Sequence, residues 1–181
     1  MEIQKTSLKD CFIIKPVAFK DDRGYFLETF NQTHFQKVTD QSRAFVQDNQ
    51  SSSSKGVLRG LHFQKGEMAQ AKLVRVVKGS VLDVVVDLRK DSESFGNSFS
   101  VVLDDVNHWQ LYVTKGFEHG FITLSDRSIF CYKCDNFYNK VSEGGIIYND
   151  ATLAIDWHLP EEEFIVSEKD LELPTFEEVI R

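Results

Sequence analysis

The segment Ser80 to Arg89 constrains the fold more than any other part of this chain. Successive side chains of a strand point to opposite faces. Leu82, Val84, Val86 and Leu88 therefore share one face, while Asp83, Asp87 and Arg89 lie on the other with Val81 and Val85. So clean a period of two predicts a strand with a strongly apolar side. Weaker strand patterns recur at Cys11–Phe19, Tyr25–Phe30, Arg43–Gln50, Val57–Gln64, Gln70–Arg75, Phe99–Leu103, His108–Val113, His119–Leu124 and Ser128–Asp135. Turn residues separate them: Lys20 to Gly24, Asp104-Asp105, Lys115-Gly116 and Ser125-Asp126-Arg127. Strands at roughly 8–12-residue spacing, with no long helix between them, predict an all-β sandwich or barrel.

Helices are expected to be few and short. Asn31 is a suitable N-cap for a helix through Lys37 that carries Phe35 and Val38 towards the core. Ser167 opens a second helix, and Thr175 to Arg181 reads as a third. Leu153 to Trp157 is a short ordered piece ended by Pro160. Pro16 marks an edge or bulge in the first strand. The polar run Ser51 to Lys55 is read as a flexible hairpin loop. A chain of 181 residues without repeats or internal boundaries is expected to form one domain, residues 1–181.

Hydrophobic residues make up 41% and charged residues 27%, a globular composition, and fifteen Phe suit an aromatic-rich β core. A net charge of −7 argues against nucleic acid or an anionic membrane as the main partner. No apolar run approaches the ~18 residues that span a bilayer. The opening Met1 to Thr6 lacks a signal peptide's apolar region, so a cytoplasmic protein is expected. Three Cys agree with that compartment. Cys131 and Cys134 read as Cys-x-x-Cys, but on a strand they face opposite sides and are two ordinary thiols.

Function is more concentrated. Arg23, Glu28, Gln47-Asp48-Asn49, Arg59, His62, Lys72, His119 and Tyr132 all fall among apolar neighbours, mostly inside strands. Each alone is explained by a satisfied or outward-facing polar group. Together they suggest a polar cavity inside a barrel. A metal site of the His-x-His kind does not fit well, because Gln64 follows His62 at that spacing and Gly120-Phe121 follows His119. Metal-free acid–base chemistry on an anionic substrate fits better. Histidine accepts a proton near neutral pH, tyrosine supplies one, and Lys or Arg holds an oxyanion or phosphate.

The motifs Asp22-Arg23-Gly24-Tyr25-Phe26, Gln47-Asp48-Asn49, Val57 to Gln64, Lys115 to Phe121, Tyr132-Lys133, Glu143-Gly144 and Asn149-Asp150 stand in a characteristic order. In that order the chain resembles the dTDP-4-dehydrorhamnose 3,5-epimerase family, from about Leu8 to Leu171. The resemblance implies a cupin-like β jelly roll with a few short helices, no metal or other cofactor, and a homodimer that exchanges N-terminal strands. It implies His62 as general base with Asp170 as dyad partner, Tyr132 as acid, and Lys72, helped by His119, on the enolate oxygen. Arg23, Glu28, Gln47, Asp48, Asn49, Arg59, Glu143 and Lys169 would bind the nucleotide and sugar, with Tyr138 stacked on the base. The implied reaction inverts carbons 3 and 5 of dTDP-4-dehydro-6-deoxy-D-glucose to give dTDP-4-dehydro-L-rhamnose. A relative that inverts one carbon, a ketoisomerase, and a non-catalytic sugar-binding cupin are the rivals. If Arg59 and His62 meet one substrate, simple strand alternation must break near Gly60.

Overall fold

The computed structural model describes residues 2–39, 41–42 and 44–181, with the side chain of Val38 outside the description. Strands β1 (Glu2–Lys5), β2 (Cys11–Lys15), β5 (Gln47–Ser54), β7 (Lys72–Lys78), β10 (Gln110–Val113) and β12 (Arg127–Cys134) form one sheet, in the spatial order β1-β2-β10-β7-β12-β5. A second sheet runs β13-β6-β11-β8-β9, from β6 (Val57–Gln64), β8 (Ser80–Asp87), β9 (Ser98–Asp104), β11 (Phe117–Thr123) and β13 (Glu143–Gly145). The short β14 (Ile165–Val166) adds to β6 in parallel. From β5 to β13 the chain crosses repeatedly between the sheets, as in a jelly roll. A separate hairpin of β3 (Ala18–Asp21) and β4 (Gly24–Leu27) stands apart from both. Among the described residues no helix is long and apolar enough to cross a membrane.

Three apolar layers hold this together. Val74, Val113 and Phe130 of the first sheet meet Val81, Val85 and Phe121 of the second between the sheets. Leu58, Leu61, Leu82 and Val84 face the other way and are covered by Ile146, Trp157 and Phe176 from the C-terminal third. Phe35 of α1 (Gln32–Thr39) seals the outer side of the first sheet against Leu73 and Tyr112. β8 is thus buried on both faces, which explains why its apolar pattern is so strong. Asp83 and Asp87 are fully buried there, and Asp87 is held by Arg89, Ser92 and Ser94.

Several boundaries differ from the expectation. Cys11–Phe19 is two strands, because Pro16 lacks an N–H for the ladder and β2 ends at Lys15. The next strand ends at Leu27; Phe30 instead packs its ring on Phe35 and Phe45. The expected strand Arg43–Gln50 begins at Gln47, and Arg43 lies outside the described residues. The Val38 contact lies outside the described residues as well. The serine run is strand: Ser51 to Ser54 pair with Phe130 to Arg127 of β12, and the turn is confined to Lys55-Gly56. A complete ladder from β12 overrides the weak strand preference of serine. The helix caps agree with expectation. Asn31 accepts the His34 N–H, Ser167 caps α2 (Glu168–Leu171), and Thr175 forms a capping box on α3 (Phe176–Ile180).

Candidate active site

The site begins with a bulge in β6. His119 pairs with His62 and Phe121 with Arg59, so two steps along β11 match three along β6. The additional residue shifts the alternation. Leu58 and Leu61 both enter the outer apolar layer, while Arg59 and His62 both line the cavity between the sheets. Gly60, at φ 130°, is required there: a Cβ would lie 2.6 Å from the Gly120 Cα. The break in alternation expected near Gly60 is therefore present.

Asp170 reaches this bulge from α2. Its Oδ1 is 2.7 Å from His62 Nε2, and its Oδ2 accepts the Gly60 N–H at 3.4 Å. Burial alone would raise the Asp170 pKa, but the His62 hydrogen bond and charge, the Gly60 N–H and Ser167 bring it below the ordinary carboxylate value. An ionised carboxylate only accepts hydrogen bonds, so Nε2 of His62 carries the proton that bridges the pair. The neighbouring His119 makes a second pair, its Nε2 2.9 Å from Asp83 Oδ2. Burial lowers the His119 pKa despite Asp83, leaving the ring neutral.

Lys72, at the start of β7, is half-buried in the same cavity. Burial pulls its ammonium down, against Asp83, Glu118 and Glu143, which favour its charge. Tyr132 approaches from β12 on the other sheet, and burial pushes its phenol up. The cavity has a volume of about 580 Å³, within the usual range for a small-molecule site. At its rim Lys169 bridges Glu143 at 2.6 Å, and the Tyr138 hydroxyl donates to Glu143 at 3.0 Å. Burial works against ionised Glu143, but Lys169 and Tyr138 hold its pKa below normal. The Gln47 side chain accepts the Tyr138 N–H and donates to Asn49, joining β5 to this rim. Arg59 donates from Nε to Ser53 and leaves the rest of its side chain exposed.

Of the expected site residues, Gln47, Asn49, Tyr138 and Glu143 stay at the rim without lining the cavity, and three more lie away from it. Asp48 alternates to the outer face of the first sheet, where it pairs with Lys133 at 2.7 Å. Arg23 lies at the tip of the β3–β4 hairpin and is bound to Asp21. Glu28 holds Asn31 and His34 at the start of α1. Conversely, Asp83, Ser167, Phe121 and Phe130 belong to the site or its support and were not singled out from sequence. Asp83 had a usable signal, a carboxylate in phase with Val81 and Val85 on a strand that faces the interior. Glu118 is also fully buried; burial raises its carboxyl well above normal, and its Oε2 accepts the Ile146 N–H. Among the described residues no group of three or more His, Cys, Asp or Glu is arranged to hold a metal ion.

The two-sheet fold is cupin-like, and the proteins it resembles place the chain among enzymes of the isomerase class. The family model described as dTDP-4-dehydrorhamnose 3,5-epimerase matches residues 5–178, and the chain belongs to that family. It is similar to the dTDP-4-dehydrorhamnose 3,5-epimerase of Escherichia coli (strain K12), with 50% identity over 182 residues, 100% of this chain and 97% of the relative. The crystal structure of dTDP-4-dehydrorhamnose 3,5-epimerase from Elizabethkingia anophelis NUHP1 superposes with a TM-score of 0.96 at 53% identity, covering 100% of this chain and 99% of the other. That of the dTDP-6-deoxy-D-glucose-3,5-epimerase from Legionella pneumophila Philadelphia 1, in complex with dTDP-4-keto-L-rhamnose, gives 0.93 at 42% identity, with 96% and 92% covered. The resemblance read from the motifs is borne out, as is the cupin-like jelly roll.

Proposed function

We propose that residues 1–181 act as one epimerase domain that inverts carbons 3 and 5 of dTDP-4-dehydro-6-deoxy-D-glucose, giving dTDP-4-dehydro-L-rhamnose. The observation that carries this reading is the 2.7 Å contact of His62, on one sheet, with Asp170 of α2, and Tyr132 lining the same cavity from the other sheet. Inverting a carbon beside a ketone needs a base on one face and an acid on the opposite face. His62 Nδ1 takes the proton, and Asp170 stabilises the imidazolium that forms. Tyr132, kept protonated by burial, returns a proton from the far side. Lys72, with neutral His119 beside it, stabilises the enolate oxygen.

Arg59 and Lys169 bind the diphosphate, Tyr138 stacks on the thymine, and Gln47, Asn49 and Glu143 fix the nucleotide and sugar. Arg23 and Glu28 act in the site of a second copy, through exchanged N-terminal strands of a homodimer. Supporting this, Phe19, Tyr25 and Phe26 of the projecting hairpin are 65%, 56% and 70% exposed, an apolar surface that a partner would cover.

The test is turnover of dTDP-4-dehydro-6-deoxy-D-glucose in deuterated water. Deuterium at both ring carbons is expected. Label at one carbon would make the chain a single-carbon epimerase, and no label would remove the acid–base reading. Tyr132→Phe is expected to suppress net turnover while some exchange persists.

A further inference from the structure

One buried acid takes no part in the proton transfers described above. Glu118 is fully buried on β11. Its neighbours Phe117 and His119 face the space between the sheets, so Glu118 turns the other way, with Ile122, into the outer apolar layer. Leu61, Val86 and Ile146 belong to that layer. A carboxyl group there has lost its water, and burial raises it well above the ordinary value against the pull of Lys72 and Lys65. Its Oε1 has no hydrogen-bond partner among the described residues. An apolar side chain at this position would avoid both costs.

The other oxygen is bound to backbone. Oε2 accepts the Ile146 N–H at 3.1 Å. The same N–H also donates to the Leu61 carbonyl at 3.1 Å, and the Leu61 N–H donates to the Ile146 carbonyl at 3.2 Å. β6 lies between β11 and β13, and His62 is in register with both, opposite His119 on one side and Gly145 on the other. Glu118 is the chain neighbour of His119, and Ile146 that of Gly145. The contact therefore closes over β6 at the level of His62. Backbone pairing of β6 with β11 ends at His62 and His119, and the Glu118 side chain takes over one residue further on.

We propose that Glu118 is a positioning residue, a side-chain brace from β11 to the end of β13 that fixes where His62 stands against the substrate. This rests on the reading of His62 as the base. The fold does not need the brace, since Ile146 and Leu61 hold each other by two backbone hydrogen bonds. Catalysis does, because displacing a reacting group by about 1 Å can slow a reaction by about 10²-fold. The protonated acid that burial favours offers Ile146 a carbonyl oxygen, as a glutamine would.

Two substitutions separate a brace from a packing residue. Glu118→Met keeps an unbranched side chain of similar length but offers no carbonyl acceptor. For dTDP-4-dehydro-6-deoxy-D-glucose its kcat is expected to fall about 10- to 100-fold, with KM within about twofold of wild type. Calorimetric titration with dTDP should give the wild-type affinity and stoichiometry. The melting temperature should equal or exceed that of the wild type, because a buried acid has been removed. Glu118→Gln is expected to restore kcat to within about threefold of wild type. A wild-type kcat in Glu118→Met would overturn the brace and leave the epimerase reading standing. So would a Glu118→Met protein that melts lower or does not fold, or a Glu118→Gln protein as slow as Glu118→Met. A wild-type protein that does not turn the substrate over would overturn the substrate reading and the brace with it.

Discussion

Two histidine–carboxylate pairs lie side by side on neighbouring strands and differ in almost everything except chemistry. His62–Asp170 joins a strand to a helix, with the His62 side chain 28% exposed to the cavity. His119–Asp83 joins two strands of one sheet, with His119 only 7% exposed. In the first pair both carboxylate oxygens are occupied, by the imidazole and by the Gly60 N–H. In the second, Asp83 Oδ1 has no hydrogen-bond partner among the described residues. A base must reach its substrate and be stabilised when it becomes charged. The partly open pair with a saturated carboxylate meets both needs. The buried pair holds a neutral ring in place, because desolvation penalises the imidazolium.

The contrast predicts a hierarchy of effects. His62→Ala should lower kcat/KM by about 10⁴-fold and stop deuterium exchange, the upper end for loss of a general base. Near-wild-type exchange in that variant would assign the base elsewhere. Asp170→Asn preserves shape but cannot stabilise an imidazolium; a loss of about 10²- to 10³-fold in kcat is expected. His119→Asn should cost about tenfold, since it removes a neutral neighbour of the oxyanion and no proton carrier. An effect equal to that of His62→Ala would erase the distinction between the pairs.

The smallest effect concerns stability. Burial lowers the His119 pKa in the folded state, so the unfolded chain binds more protons between that value and the ordinary ~6.5. Stability must rise with pH across this window, and the penalty is complete below the folded value. One proton limits the slope to about 1.4 kcal/mol per pH unit. Urea midpoints at a series of pH values should show His119→Asn with a shallower slope than the wild type; identical slopes would mean that His119 is not the buried base responsible.

Legibility from sequence followed how local each determinant is. β8, Ser167, Thr175 and the Val57–Gln64 strand were readable because period and capping chemistry are encoded within a few residues. The serines of β5 were misread because their strand state comes from β12, more than seventy positions away in the ladder. Gln47 and Asn49 are half-buried, but Asp48 between them alternates outward, which a motif read as a block conceals. Arg59 and His62 could be placed together only by allowing the alternation to fail at a glycine. Asp83 stood in plain view, but its role needs the partner His119 across β11.

The distance along the chain between His62 and Asp170 has a consequence for synthesis. His62 is synthesised 108 residues before the carboxylate it is hydrogen-bonded to. The His62–Asp170 contact can therefore form only after every strand of both sheets has been synthesised.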